Sequence, residues 1–348
     1  MALITLATPP GLNEPAHLVS LRKQWTHLAV ESDQADPFCC GPAWQLAALR
    51  VLNPAQTIFL QQSDTALLTL AEHRSTSGPS CCCPLEGSWL FGCPLLGRDI
   101  PELLELFEAA LIEILRHSRQ NTRHQGWPYM VISGLRPGTT LPRVLWRRFN
   151  GPFIFYRHSS STQCAASLRG GLDGFLSRRS ANHRAKLRKA ARQAREQGVS
   201  FERYCPGTAE EALILYERML SVEHTSWKGL GQCGMAESPA REFYAAMISD
   251  LARNGEARII LARHEEKDIG FIFGGMAGKI YRGQQFSYSA DWKKSSIGNL
   301  LQAEKISWLC EEGAERYDMG PVTGPRMGYK EHWTEEQREI ETWLLQKR

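Results

Sequence analysis

Apolar positions along this chain recur at two periods, and the switch between them lays out the elements. Leu103, Leu104, Phe107, Leu111, Ile114 and Leu115 recur at helical spacing and predict a helix from Pro101 to Arg116. Tyr129-Met130-Val131-Ile132 reads as a strand ending at Ser133-Gly134, while Gly78-Pro79 and Pro84 break the cysteine-dense stretch before it. Phe153-Ile154-Phe155-Tyr156 reads as a buried strand, and the polar Ser159-Ser160-Ser161-Thr162-Gln163 after it as a boundary or crossover. One long helix is then predicted from Leu172 to Gln197, stopped by Gly198.

Further on, Val199 to Tyr204 alternates as a strand does. Thr208 with Glu211 three residues on forms a capping box, and Ser238 with Pro239 at the first helical position opens a helix ending near Asn254-Gly255. Three strands follow in quick succession, Ala257 to Arg263, Ile269 to Met276 and Ile280 to Ser289, separated by turns of hairpin length. A helix from Ser296 to Glu312, a stop at Gly313 and a strand at Arg316 to Met319 complete the pattern. The order helix, helix, meander, helix, strand predicts an α/β (α+β) domain, a mixed and mostly antiparallel sheet flanked by helices.

Length and composition change this picture little. At 348 residues two domains are expected, divided at 1–150 and 151–348. The apolar fraction of 43% and charged fraction of 22% are those of ordinary globular proteins. The net charge of +4 does not by itself imply a nucleic-acid partner. No apolar run approaches the ~18 residues of a membrane span, and Met1 to Pro10 lacks the basic and apolar regions of a signal peptide, so a cytoplasmic protein is expected. The ten cysteines include the adjacent Cys81-Cys82-Cys83, and no paired C-x-x-C spacing suggests a metal, so none is expected.

The chemistry concentrates after the third meander strand. A basic loop, Trp292-Lys293-Lys294, runs into a helix opening at Ser295-Ser296-Ile297-Gly298-Asn299. A helix start offers unpaired N–H groups and the positive end of the dipole, Gly298 permits close backbone approach, and the lysines add charge. Upstream, Glu223 and His224 stand at the end of the Thr208 helix just before Ser226-Trp227-Lys228-Gly229. Downstream, Asp318 is followed by a glycine-rich stretch, Gly320 to Gly328, and then Tyr329-Lys330. Between Arg178 and Arg195 the chain carries Arg178, Arg179, Arg184, Lys186, Arg188, Lys189, Arg192 and Arg195 with no acid among them. Such a one-signed run is either a solvated face or a contact for RNA phosphates, another polyanion or the 3′-phosphate of coenzyme A.

The junction resembles the acyl-CoA pyrophosphate loop of the GNAT acetyltransferases, Q/R-x-x-G-x-G/A, with Lys293 in the Q/R place, Gly298 as the last glycine and Ser296 replacing the first. Taken with Ser226-Trp227-Lys228-Gly229, the helix Phe243 to Gly255, and Asp318 followed by Gly324 and Tyr329-Lys330, it is similar in order to the CelD/BcsL-type acetyltransferases of exopolysaccharide (cellulose) biosynthesis. That group is related to the FemABX aminoacyltransferases, which use two GNAT-like domains. The resemblance covers roughly residues 150–335 and is fainter upstream, where it rests on Trp25 to Ala29, Pro37-Phe38 and Trp44.

The resemblance implies tandem GNAT-like domains: residues 1–150 degenerate and on the acceptor side, residues 151–348 holding the acyl-CoA cradle. It implies acetyl-CoA or another acyl-CoA as co-substrate and direct transfer to an amine or hydroxyl of a small-molecule, saccharide or peptide acceptor. Lys293, Lys294, Ser295, Ser296, Ile297, Gly298 and Asn299 would bind the donor; Trp227, Lys228, Tyr288 and Tyr329 would line the acceptor cleft. Glu223 or His224 would take the acceptor's proton, while Lys330 would neutralise a phosphate or developing oxyanion and Asp318 would orient Lys330 or bind acceptor. Two rivals remain: an aminoacyltransferase using aminoacyl-tRNA, which the basic helix favours, and a catalytically silent GNAT-fold binding protein.

Overall fold

The computed structural model describes residues 4–7, 16–33, 36–53, 57–73, 80–120, 128–322 and 325–348. The chain forms two compact units, Met1–Thr162 with Arg338–Arg348, and Gln163–Gln337. The first unit contains β1 (Ile4–Ala7), α1 (Ala16–Ser20), α2 (Arg22–Glu31), α3 (Pro37–Cys40), α4 (Pro42–Val51), β2 (Thr57–Gln62), β3 (Ala66–His73), β4 (Cys81–Cys83), β5 (Leu95–Gly97), α5 (Ile100–Gln120), β6 (Tyr129–Leu135) and α6 (Thr140–Phe149). Its strands run in the order β1-β2-β3-β4-β6, with β5 beside β3, and among the described residues these pairs are antiparallel except β4 with β6. The apolar stripe expected on the Pro101 helix closes this core: Leu103, Phe107, Leu111 and Ile114 of α5 are buried against β2 and β3.

The chain leaves the first unit within β7 (Phe153–Ser167), then forms α7 (Gly171–Ser177), α8 (Ala181–Glu196), β8 (Val199–Tyr204), α9 (Ala209–Thr225), α10 (Trp227–Leu230), α11 (Ala240–Arg253), β9 (Ala257–His264), β10 (Lys267–Ala277), β11 (Ile280–Tyr288), α12 (Ile297–Glu311) and β12 (Arg316–Pro321). It returns within the last strand, β13 (Glu336–Lys347), which pairs antiparallel with β6. The second unit's sheet runs from the end of β7 through β12, β11, β10 and β9 to β8. Only β11 and β12 are parallel in it. The fold class is therefore the expected one, a mixed and mostly antiparallel sheet flanked by helices. Among the described residues no helix is long and apolar enough to cross a membrane.

Several local expectations are corrected. The polar run Ser159 to Gln163 holds the expected boundary, since the units divide after Thr162, but it lies within β7 and forms no loop, and Arg338–Arg348 also belongs to the first unit. The single helix expected from Leu172 to Gln197 is two. α8 restarts at Ser180, whose hydroxyl caps His183 N at 3.1 Å, and the intervening Arg178 and Arg179 are held by Glu335. Pro239 flanks α11 rather than occupying its first turn. The capping box at Thr208 closes on a neighbour: Thr208 accepts from Glu211 N, and the Glu211 carboxylate accepts from Gly207 N at 2.8 Å. Gly78-Pro79 and Gly324 lie outside the described residues.

Candidate functional site

The parallel pairing of β11 with β12 is short. Ile280, Tyr281 and Arg282 face Arg316, Tyr317 and Asp318, and there it stops, although β11 runs on to Tyr288. A bulge explains the parting. Phe273 of β10 faces Gln285 while its neighbour Gly274 faces Gly283, so Gln284 is an extra residue in β11. Glycine is required here by packing: a Cβ on Gly274 would stand 2.2 Å from Arg282 O, and one on Gly283 2.9 Å from the Tyr317 ring. Past the bulge, the β11 edge from Gly283 to Tyr288 lines a cleft of about 880 Å³.

The rest of the cleft is assembled from several parts of the second unit. Tyr317 and Met319 of β12 and Gln302 of α12 contribute beside the β11 edge, and Tyr317 donates to Gln302 Oε1 at 2.8 Å. Trp227, Lys228, Leu230 and Gly231 come from the α9–α10 corner, where Ser226 caps Lys228 N at 3.1 Å. Met327, Tyr329 and Lys330 come from the 3₁₀ segment Pro325–His332. Ala290, Lys293 and Ser296 come from the approach to α12, and Gly298 and Asn299 from its first turn.

That approach differs from the expected helix opening. Residues Ala290–Ser295 form a 3₁₀ turn, Ser296 adopts a left-handed conformation (φ 57°), and α12 begins only at Ile297. The position where this chain carries serine in place of the loop's first glycine is thus one that glycine would occupy without strain. Ile297 and Leu301 are fully buried, each stabilising by about 1.5–3 kcal/mol, and anchor the α12 start against the sheet. Packing requires glycine at position 298, since a Cβ there would meet the Tyr288 ring at 2.9 Å. The first turn of α12 leaves its leading N–H groups without intrahelical acceptors, beside the cleft.

Of the residues singled out from sequence, the cleft brings together Trp227, Lys228, Tyr288, Lys293, Ser296, Gly298, Asn299, Tyr329 and Lys330. Lys294 and Ser295 belong to the 3₁₀ turn but do not line it, and Ile297 is in the core. His224 is exposed and away from the lining. Glu223 is fully buried, accepts Met235 N at 3.1 Å and touches Ser226 Oγ at 3.5 Å. It braces a turn in which a Cβ on Gly234 would collide with it at 2.2 Å. Asp318 does not contact Lys330 directly: it accepts from Gly320 N at 2.9 Å and from Arg316 Nη2 at 2.5 Å, with Arg282 at 3.8 Å.

Lys228 donates to Gln285 Oε1 at 2.8 Å and to Phe286 O at 3.0 Å, and Gln285 in turn donates to Tyr244 Oη at 2.8 Å. Burial lowers the pKa of its ammonium. Lys330 donates to Pro321 O at 2.6 Å, and burial, with the charge of Arg282, pushes its pKa down to about 8. Sequence reading missed Gln285, Tyr244, Phe286 and Gln302; the polar pair Gln284-Gln285 inside an otherwise strand-like run was the one visible signal.

The basic run also divides. Arg178 and Arg179 pair with Glu335, and Arg184 donates to Arg179 O at 2.6 Å, so these three hold the turn between α7 and α8. Lys186, Arg188, Lys189, Arg192 and Arg195 remain exposed on α8, which packs beside the 3₁₀ turn that carries Lys293 and Lys294.

Comparison with known proteins follows the same geometry. FemX aligns over 92% of this chain and 95% of its own at 10% identity, with a TM-score of 0.65. A conserved protein of unknown function from Bacteroides thetaiotaomicron aligns over 94% and 97% at 12% identity, TM-score 0.60. L-PGS from Bacillus licheniformis aligns over 96% and 92% at 16% identity, TM-score 0.56. At these identities the likeness is one of fold. No curated protein matches the sequence significantly. Residues 181–331, which contain every residue lining the cleft and lie within the second unit, match the family model described as an acetyltransferase (GNAT) domain.

Proposed function

We propose that this protein is a cytoplasmic, CoA-dependent N- or O-acyltransferase of the CelD/BcsL type, most simply an acetyltransferase, acting by direct transfer in the cleft of the second unit. The observation that carries this reading is the unpaired edge of β11 leading to the α12 start within one cavity. An extended pantetheine arm adds to an open strand edge through main-chain hydrogen bonds, while the pyrophosphate takes the N–H groups of Ile297 and Gly298 at the start of α12, with Lys293 alongside. A β11 N–H polarises the thioester carbonyl. The acceptor's lone pair attacks that carbon, the C–S bond breaks as the new C–N or C–O bond forms, and the departing thiolate takes up the proton the acceptor sheds. In this reading Lys330 supplies positive charge at the reacting end, and Glu223 serves the fold rather than the proton transfer.

Calorimetric titration of the whole protein with acetyl-CoA tests this. The wild type should bind, and Gly298→Glu should lose binding at least about 100-fold because the added bulk displaces the cradle by an ångström or more. Equal affinity in a variant with an unchanged melting temperature would sink the assignment.

One observation favours a second reading. The exposed cations of α8 continue into Lys293 and Lys294 beside the cleft, a surface suited to an aminoacyl-tRNA donor. If so, tRNA should bind with steep salt dependence and acetyl-CoA should not bind.

A further inference from the structure

The cleft is charged in one sense. Lys228, Lys293 and Lys330 line it, and no aspartate, glutamate or histidine is among the described residues that do. Lys293 belongs to the turn before α12, whereas Lys228 and Lys330 come from two other walls that meet at Phe286: its carbonyl accepts from Lys228 at 3.0 Å and its ring packs 5.3 Å from that of Tyr329, the neighbour of Lys330. Two like charges half-withdrawn from water repel one another and lose hydration together.

The surrounding protein does not relieve them. The carboxylates that favour their charged forms, Glu223 for Lys228 and Asp318 for Lys330, are committed to other groups, and among the described residues neither lysine makes an ion pair. An ammonium carries three N–H donors. Lys228 gives two, to Gln285 and Phe286, and Lys330 gives one, to Pro321. Donors remain on both side chains, and the cavity wall beside them includes the apolar Trp227, Met327 and Phe286, whose ring lies 5.8 Å from Lys228 Nζ. Trp227 and Leu230 are 40% and 71% exposed, so this wall is open to an incoming molecule.

We propose that the acceptor carries an anionic group, a carboxylate or a phosphate, which sits between Lys228 and Lys330, and that this lysine pair selects the acceptor. The word acceptor rests on the acyltransferase reading; the anion site itself does not. An oxyanion there satisfies the spare donors with charge-assisted bonds and cancels the repulsion between the ammoniums. A neutral amine or alcohol of the same shape would leave both penalties in place, and discrimination of that origin is large because a buried polar site rejects the analogue lacking its partner.

Matched pairs of probes test it on the intact protein, with and without added CoA: 4-aminobutyrate against butylamine for the carboxylate, and O-phosphoethanolamine against ethanolamine for the phosphate. Calorimetry should show at least one anionic member binding tenfold or more tighter than its neutral partner, and which pair does so tells carboxylate from phosphate. Lys228→Met and Lys330→Met should each erase the preference, while Lys330→Arg should retain part of it. Equal binding within both pairs, no binding of any probe, or a preference that survives both methionine variants would overturn the proposal. CoA affinity, measured first and separately, judges the donor reading. CoA binding without anion preference refutes this inference alone, and anion preference without CoA binding refutes the CoA-donor reading alone.

Discussion

Glu86 in the first unit and Lys330 in the second are both ionisable groups taken out of water, yet the protein surrounds them differently. Glu86 is completely enclosed: it accepts Trp44 Nε1 at 2.6 Å and Gly92 N at 3.1 Å, its own N–H goes to Gln45, and its carbonyl takes Asn53. The packing leaves nothing over, since a Cβ on Gly92 would stand 2.3 Å from Cys39 O. Among the described residues Lys330 has one protein acceptor, a like-charged neighbour and a cavity in front of it. A buried polar group whose bonds all end inside the protein is a strut; one with donors left over at a cavity wall is a place for a ligand. Burial alone, which pushes Glu86 up to about 7 and Lys330 down to about 8, does not distinguish them.

Removing each group should therefore read out in different assays. The largest effect expected is on stability: Glu86→Ala orphans the donors of Trp44 and Gly92 in a closed site, at roughly 1–3 kcal/mol for each unsatisfied group, which urea unfolding will show. The cost of that substitution should also shrink with pH. Glu86 has a folded pKa raised above its ordinary value, so its stabilising contribution is full below about 4.5 and is lost as pH rises through about 7. A cost that grows between pH 5 and pH 7.5 would contradict the strut.

Lys330→Met comes next. It should lower kcat/KM about 100-fold, the order found when one charge-stabilising donor is removed, yet leave the unfolding midpoint the same or higher because a buried cation is gone. Lost stability with retained turnover would make Lys330 the strut and erase the contrast with Glu86.

The third test uses pH on the wild type. The depressed pKa of Lys330 means that its stabilising contribution falls away as pH drops through about 8, whereas its positive charge is present only below that value. If the charge serves turnover, kcat/KM for an anionic acceptor should fall about tenfold between pH 7 and pH 9, since the ammonium fraction falls by that factor across a pKa of 8. A rise over the same interval would assign the neutral amine, acting as a base, and would sink the anion-binding role.

Much of the second unit was legible in sequence because its elements are set by local signals. The meander is announced by three β-rich runs with short turns, and the ends of α8 and α12 by Gly198 and Gly313, both with positive φ. What escaped was set by contacts distant along the chain. The break between α7 and α8 depends on Glu335, more than a hundred residues away, which takes Arg178 and Arg179. The bulge at Gln284 needs the β10 register to exist at all. Glu223 reads as a candidate base because a carboxylate beside Trp227-Lys228 has the right chemistry, and only the fold reveals that its oxygens are spent on Ser226 and Met235. The sequence likewise showed eight cations from Arg178 to Arg195 but could not tell the three that hold a turn from those on the open face of α8.

The smallest effect belongs to Ser296, where the two kinds of site meet. Its left-handed conformation costs a non-glycine residue about 1–2 kcal/mol, and the turn is kept although Ser296 makes it with a Cβ. Ser296→Gly relieves that strain but also loosens the unfolded chain, which offsets about 0.5–1 kcal/mol of the gain. The net expectation is a rise in stability of a few tenths to about 1 kcal/mol with acetyl-CoA affinity unchanged, read by urea unfolding and calorimetry together. The hydroxyl matters to the donor only if affinity drops while stability rises. That result would move Ser296 from the scaffold of the cradle to its binding surface, because backbone relief by itself leaves the N–H groups of α12 where they are.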